Sequence, residues 1–463
     1  MSPSRGLGYV YKRQLMTPTT IGIIGLAFLF IFLILRMPVA IAMLVVGFIG
    51  TWVMNGTTPA LTSLSGEAFE MVSFFELSVV PLFVLMGNLA GVSGMSKDLY
   101  EAAYKWFGHF RGGLASATIV GCAGFAAMSG SSIAAAVTMG RVALPEMKRF
   151  NYGDSLATGA VAAGGTLGIL IPPSTGMIIY AILTEQSIGK LFIAGVIPGL
   201  LLTSLFLVAI YIVTTLKPEL GPAGQKATLS EKIGSLKNAG TIIFIVAITI
   251  GGIYFGWFTP VEAAGVGAFL TLTVALLRKN LSWENTKFVV FQTLRTTATV
   301  FMILIGAHVF IPFMALSEIP SDLVSFLTSI NVGDLGVLII ILVTYVVLGT
   351  FLEGLAMLVL TLPIVYPLIL ELGLSPIWFG VVVVIVLEMG LISPPVGVNV
   401  FVVKGIAPDV PMNTIFRGIW PFWFAMGLCL VILVALPELA PVSYTHLRAH
   451  ETDSYLVCRL LLE

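Results

Sequence analysis

The side chains suited to holding a small hard cation are gathered in two stretches of an otherwise apolar chain. Ser129, Gly130, Ser131 and Ser132 precede Thr166, Pro172, Pro173, Ser174 and Thr175 in the first; Glu353 and Gly354 precede Ser393, Pro394, Pro395 and Asn399 in the second. Sodium takes oxygen ligands, and hydroxyls, amides and freed backbone carbonyls supply them where helices of secondary transporters are interrupted. A proline pair inside a helix removes two amide donors and frees the carbonyls of the preceding turn, and in a bilayer those carbonyls need a partner. The two pairs share one frame. Gly168-Ile169-Leu170-Ile171-Pro172-Pro173-Ser174-Thr175 recurs as Gly390-Leu391-Ile392-Ser393-Pro394-Pro395-Val396-Gly397, with 222 positions from Pro172 to Pro394 in a chain of 463 residues. Small hydroxylated residues also simply let helices pack closely, so any one serine carries little weight. Two matched clusters beside two matched breaks point to ion and substrate binding.

The elements that must position these residues are membrane helices. Hydrophobic residues make up 58% of the chain and charged ones 10%, against about 25% charged in a soluble domain, and the mean hydropathy is +1.04. This composition predicts an all-α polytopic membrane protein with no room for a separate catalytic domain. With a net charge of zero and no basic tract, nucleic acid is not an expected partner. Cys122, Cys429 and Cys458 lack metal or redox spacing and read as packing residues. No Walker motif, no GxSxG and no HExxH within the spans occurs, so no enzymatic activity and no cofactor are expected beyond sodium as the coupling ion.

Apolar runs of membrane length fall near 20–36, 38–54, 71–92, 154–183, 190–216, 238–256, 260–278, 296–316, 376–403 and 413–437. The runs 154–183 and 376–403 are broken at their proline pairs. Two others, 113–147 and 336–370, are too long for one span and are interrupted at Met128–Ser132 and Leu352–Gly354. They read as re-entrant helical hairpins whose irregular tips lie at mid-membrane, tolerable only where buried in protein or lining a wet cavity. Amphipathic segments at 96–110 and 282–293 read as interfacial arms, and 217–237 as a solvated linker between the halves. Residues 1–15 and 442–463, including the His446/His450 pair, read as non-native tails outside the fold.

Lysine and arginine test this topology. With both hairpins returning to the side they left, seventeen of these residues fall on one face and Lys190 alone on the other, leaving out the tails. That asymmetry predicts a cytoplasmic face for the seventeen. It makes the hairpins enter from opposite faces, so the two hairpin-plus-broken-helix units form inverted repeats; both broken helices are expected to run from outside to inside. Glu353 and Glu388 are the best-placed intramembrane acids. Glu76, Asn88 and Glu262 read as structural, and His308 as a core residue hydrogen-bonded to an unidentified partner.

Several blocks then fall in a familiar order: Val80-Pro81-Leu82-Phe83-Val84-Leu85-Met86-Gly87-Asn88-Leu89, Gly108-His109-Phe110-Arg111-Gly112-Gly113, Met128-Ser129-Gly130-Ser131-Ser132, the Gly168–Ser174 block, and Ser187-Ile188-Gly189-Lys190-Leu191-Phe192. Over 16–440 the chain resembles the large membrane subunit (DctM-like) of tripartite ATP-independent periplasmic (TRAP) transporters. The resemblance implies a multi-pass protein of the bacterial inner membrane that imports organic acids, such as C4-dicarboxylates or sialic acid, on a sodium gradient. It implies two separate partners, a small four-helix membrane subunit and a periplasmic substrate-binding protein. It further implies an elevator-type ion-transporter fold, with 113–183 and 336–403 as the transport domain and 16–112, 184–335 and 404–441 as scaffold. The family's ion sites would fall at Ser129–Ser132 with Pro172–Thr175, and at Glu353–Gly354 with Ser393–Pro395 and Asn399. A self-sufficient sodium–carboxylate symporter of related fold is the alternative.

Overall fold

The computed structural model describes residues 17–329 and 333–440; both predicted tails, with Cys458 and the His446/His450 pair, lie outside them. Among the described residues every regular element is helical. The chain opens with α1 (Pro18–Ile34), α2 (Val39–Asn55), α3 (Thr57–Ser73), α4 (Val79–Val92) and α5 (Met95–Phe107). The first hairpin is α6 (Gly113–Ser129) and α7 (Ser132–Arg149), and the first broken helix is α8 (Asp154–Leu170) and α9 (Thr175–Leu183). Next come α10 (Ile188–Leu216), α11 (Leu229–Tyr254), α12 (Pro260–Leu277), α13 (Trp283–Leu316) and α14 (Ile319–Ser329). The second hairpin is α15 (Gly333–Gly349) and α16 (Gly354–Glu371), the second broken helix α17 (Pro376–Ile392) and α18 (Val398–Ile406), and α19 (Met412–Ala435) closes the chain. Among the described residues, eight segments are long and apolar enough to cross a membrane, counting α8–α9 as one.

The core is built on α8 and α17. Every residue of α8 from Leu156 to Leu170, and of α17 from Trp378 to Ile392, is buried, as expected of helices without a polar face. Glycine and alanine along α8 admit its neighbours closely. A Cβ at Gly159 would overlap the backbone of Gly418 in α19, and one at Gly164 would lie 2.8 Å from Cys122 Sγ. The packing is crossed between the repeats. α6 and α7 flank α8 while α15 and α16 flank α17, yet α7 also rests on α18, and α16 on α9. Each hairpin therefore touches the first half of its own broken helix and the second half of the other.

The doubled glycine of the sequence frame has one structural role in both copies. A Cβ at Gly168 would stand 2.5 Å from the Ser131 carbonyl oxygen at the first hairpin tip. One at Gly390 would stand 2.6 Å from Cα of Gly349, where α15 ends in the second hairpin. Both glycines thus let a hairpin backbone lie directly on its broken helix.

Several expectations need correction. The third span starts at Phe75 rather than 71, because 57–73 forms the separate helix α3, a stretch too polar to stand out as a span. α3 supplies the partner of His308: Glu67 Oε2 lies 3.4 Å from its Nδ1. The stretch 282–293 is no separate arm but the first third of the continuous 34-residue α13, and α14 was not foreseen. In the linker only Lys217 and 221–228 are irregular, since a 3₁₀ turn covers Pro218–Leu220 and α11 begins at Leu229, and the stretch 220–222 is fastened to the base of the first hairpin. Gly112 N donates to Gly221 O at 2.8 Å, Gly153 N to Leu220 O at 2.9 Å, and Tyr152 Oη to Pro222 O at 2.9 Å. Finally, the broken helices are antiparallel. Tyr180 of α9 donates to the Pro376 carbonyl at the start of α17, while Lys148, just before α8, pairs with Asp409 just after α18 at 3.1 Å. At most one of them can run from outside to inside, and the lysine and arginine asymmetry makes it the second.

Candidate functional site

Four interruptions meet in the centre of the molecule, and each presents a helix C-terminus followed by a helix N-terminus. At the first hairpin tip Gly130 adopts φ +59 after α6, a left-handed conformation natural to glycine. Ser131 then caps α7, its Oγ accepting from Ala134 N at 3.4 Å. Ser174 caps α9 by accepting from Met177 N at 3.1 Å, and Glu353 caps α16 by accepting from Ala356 N at 3.0 Å. Gly397, at φ +63, precedes α18. Both proline pairs, Pro172-Pro173 and Pro394-Pro395, contain cis peptide bonds.

The first tip is bonded to the first break. Thr175 donates to the Gly130 carbonyl from Oγ1 at 2.7 Å and from its backbone N at 3.3 Å. A bond between repeats lies beside it: Ser132 Oγ donates to Glu388 Oε1 at 2.5 Å, and both residues are buried.

A cavity of about 110 Å³ opens between these ends, lined by Ser129, Ser131, Ser132, Ile169, Thr175, Glu353, Leu355, Leu391 and Val398. Apart from α15, every helix end at the four interruptions contributes to it. Its other wall comes from α4, with Val84, Gly87 and Asn88, and from α13, with Thr296 and Val300. Helix C-termini carry partial negative charge and N-termini partial positive charge, so this space offers fields for a cation and for an anion side by side. A Cβ at Gly87 would lie 2.7 Å from Cα of Ser129, so α4 rests directly on the first tip.

The predicted residues separate into three groups. Ser129, Ser131, Ser132, Thr175 and Glu353 line the cavity. Gly130, Pro172, Pro173, Ser174 and Gly354 shape its walls without lining it. Thr166 and Ser393 direct their hydroxyl protons elsewhere: Thr166 to the Ala163 carbonyl at 2.6 Å, Ser393 to the Met389 carbonyl at 2.6 Å while accepting from Trp423 Nε1 at 2.9 Å. Asn399 is fully buried in the first turn of α18, and neither its Oδ1 nor its Nδ2 has a hydrogen-bond partner among the described residues. Ser129 Oγ and Glu388 Oε2 are likewise buried without partners there. The breaks also differ in exposure, since Pro172 and Pro173 are buried and Pro394 and Pro395 exposed.

The α4 and α13 wall was missed. Asn88, read as structural, does donate to Thr293 Oγ1 at 3.0 Å, but it also faces the cavity. The signal available was a polar residue two-thirds of the way along an apolar span, together with the threonines of 293–299 at the foot of another.

A family model described as the tripartite ATP-independent periplasmic transporter, DctM component, matches residues 26–439. Over 382 residues the chain is 35% identical to the C4-dicarboxylate TRAP transporter large permease protein DctM of Pseudomonas aeruginosa, covering 82% of this chain and 89% of that protein. It is 31% identical to the sialic acid TRAP transporter large permease protein SiaM of Vibrio cholerae, covering 87% and 93% respectively. Among solved structures, the YdaH transporter of Alcanivorax borkumensis superposes with a TM-score of 0.60 at 15% identity, over 83% of this chain and 90% of that one, which shows a shared fold.

Proposed function

The chain belongs to the DctM component family of TRAP transporters, and from that premise we propose that it imports organic acids across the bacterial inner membrane in symport with sodium. A periplasmic binding protein delivers the substrate, and a small four-helix membrane subunit braces this large one. The observation that carries the sodium reading is the pair of buried oxygens without partners among the described residues at the first tip and the second break, Ser129 Oγ and Asn399 Oδ1. Buried polar atoms are nearly always satisfied, and a cation among helix C-termini supplies what these lack. The helix starts at Ser131, Ser174, Glu353 and Gly397 are suited to a carboxylate.

The setting of the cavity supports an elevator. It lies between two bodies, the hairpins and broken helices on one side and α4 and α13 on the other, so sliding one past the other would carry bound ligand across. The transport body comprises 113–183 and 336–403. We add α10 and α19 to it, because α19 meets α8 backbone to backbone at Gly159 and Gly418 and α10 packs on α6, α8, α17 and α19.

Reconstitution tests this reading. The chain, a small subunit and a binding protein in liposomes should take up C4-dicarboxylates, sialic acid or another sugar acid only under an inward sodium gradient. Equal uptake without sodium refutes the coupling. Full uptake by the chain alone points to a self-sufficient symporter.

A further inference from the structure

Glu388 was singled out as an intramembrane acid, yet the cavity is not lined by it. It sits on α17 at 1% exposure, and what it touches is the hydroxyl of Ser132, a residue that does line the cavity. A serine hydroxyl has one proton and two lone pairs. With the proton committed to Glu388 Oε1 at 2.5 Å, the lone pairs of Ser132 Oγ remain free to accept, on a residue that borders the cavity. Remove the acceptor and the hydroxyl turns freely, presenting a donor where a cation requires an acceptor.

Resting on the sodium reading above, we propose that Glu388 is a positioning residue: from the second repeat it fixes the hydroxyl of Ser132 in the first repeat as a cation ligand. The bond therefore ties the ion site of one half to the broken helix of the other. Groups that orient metal ligands typically alter affinity by about 10–100-fold when lost.

The test measures the sodium concentration for half-maximal uptake in liposomes holding the complete three-component system. Glu388→Met, unbranched and of similar length, should raise it about tenfold or more, whereas Glu388→Gln, whose amide oxygen still accepts the Ser132 proton, should stay near wild type. Ser132→Ala should match Glu388→Met, and the double variant should be no worse than either. Should Glu388→Met not be recovered folded, Glu388→Leu carries the same comparison. The inference is overturned if the two single effects multiply, if half-maximal sodium is unchanged, or if Glu388→Gln is as impaired as Glu388→Met, which would make the charge itself the ligand. Wild-type uptake that ignores sodium would overturn the underlying reading instead, and this inference with it.

Discussion

Gly168→Ala isolates the contact on which the proposed first ion site depends. The added Cβ would stand 2.5 Å from the Ser131 carbonyl oxygen, 2.7 Å from its carbonyl carbon and 2.8 Å from Ser132 N. All three are backbone atoms, so no rotamer change relieves the overlap, and the tip must retreat by about 1 Å to reach ordinary contact. Overpacking of this kind costs about 1–3 kcal/mol, and the better helix propensity of alanine returns up to about 1 kcal/mol. A net loss of about 1–2 kcal/mol follows. The greater effect falls on function, because Ser131 and Ser132 border the cavity and their backbone is what moves. Half-maximal sodium for uptake should rise by about tenfold, the size of effect seen when ligand-orienting contacts are lost. Gly265→Ala serves as the control, since it lies within α12 with nothing within 4 Å of its Cβ position. It should leave uptake unchanged and preserve or raise Tm. Thermal unfolding of purified protein, with sodium-dependent uptake in liposomes, measures both quantities. If Gly168→Ala melts with wild type and keeps its half-maximal sodium, the close approach of hairpin and broken helix does not set the site.

Two further perturbations test the site and its support. Asn399→Leu removes a fully buried amide with no partner among the described residues, so it should raise Tm in sodium-free buffer and abolish the stabilisation by sodium expected of wild type; a variant that sodium still stabilises fully removes Asn399 from the proposed ligand set. Tyr152 accepts from Leu114 N at 3.1 Å and donates to Pro222 O, and burial pushes its phenol up to about 12, against about 10 in the unfolded chain. The folded state therefore keeps this proton to higher pH, and the stability linked to it is complete below about pH 10 and lost as pH rises toward 12. Tyr152→Phe should cost about 1 kcal/mol near neutrality and flatten the alkaline fall in Tm; identical slopes for both proteins would show that Tyr152 does not contribute to it.

What was legible in the sequence was whatever hydropathy and local grammar encode. The breaks at 171–174 and 393–397 and the tips at Gly130 and Glu353 announce themselves, because glycine, proline and capping residues interrupt runs that otherwise cross the membrane. The helices missed were those whose order depends on neighbours. α3 is too polar to read as a packed helix until its contacts with α2 and α13 are seen, and α13 continues through 282–293 because nothing there breaks a helix. The far wall was hidden for the same reason: Gly87 and Thr296 look like ordinary span residues, and only tertiary packing brings them to Ser129 and Ser131. The pairing of Ser132 with Glu388 spans 256 positions, a separation that no local pattern reports.

The two breaks share a sequence frame and a cis proline pair, yet they stand in different surroundings. Around the first, Thr175 closes onto Gly130, α4 presses on Ser129 through Gly87, and Pro172 and Pro173 are buried. Around the second, Phe351 is 62% exposed, and Pro394 and Pro395 are open. Local grammar cannot produce this inequality, because the grammar is the same; it arises from what each copy packs against. Under the proposed alternating access, such unequal surroundings of an inverted pair are what an exchange of environments would act on. In that proposed exchange the doubled glycine would serve both halves, keeping each hairpin on its own broken helix while the contacts with α4 and α13 would be the ones to change.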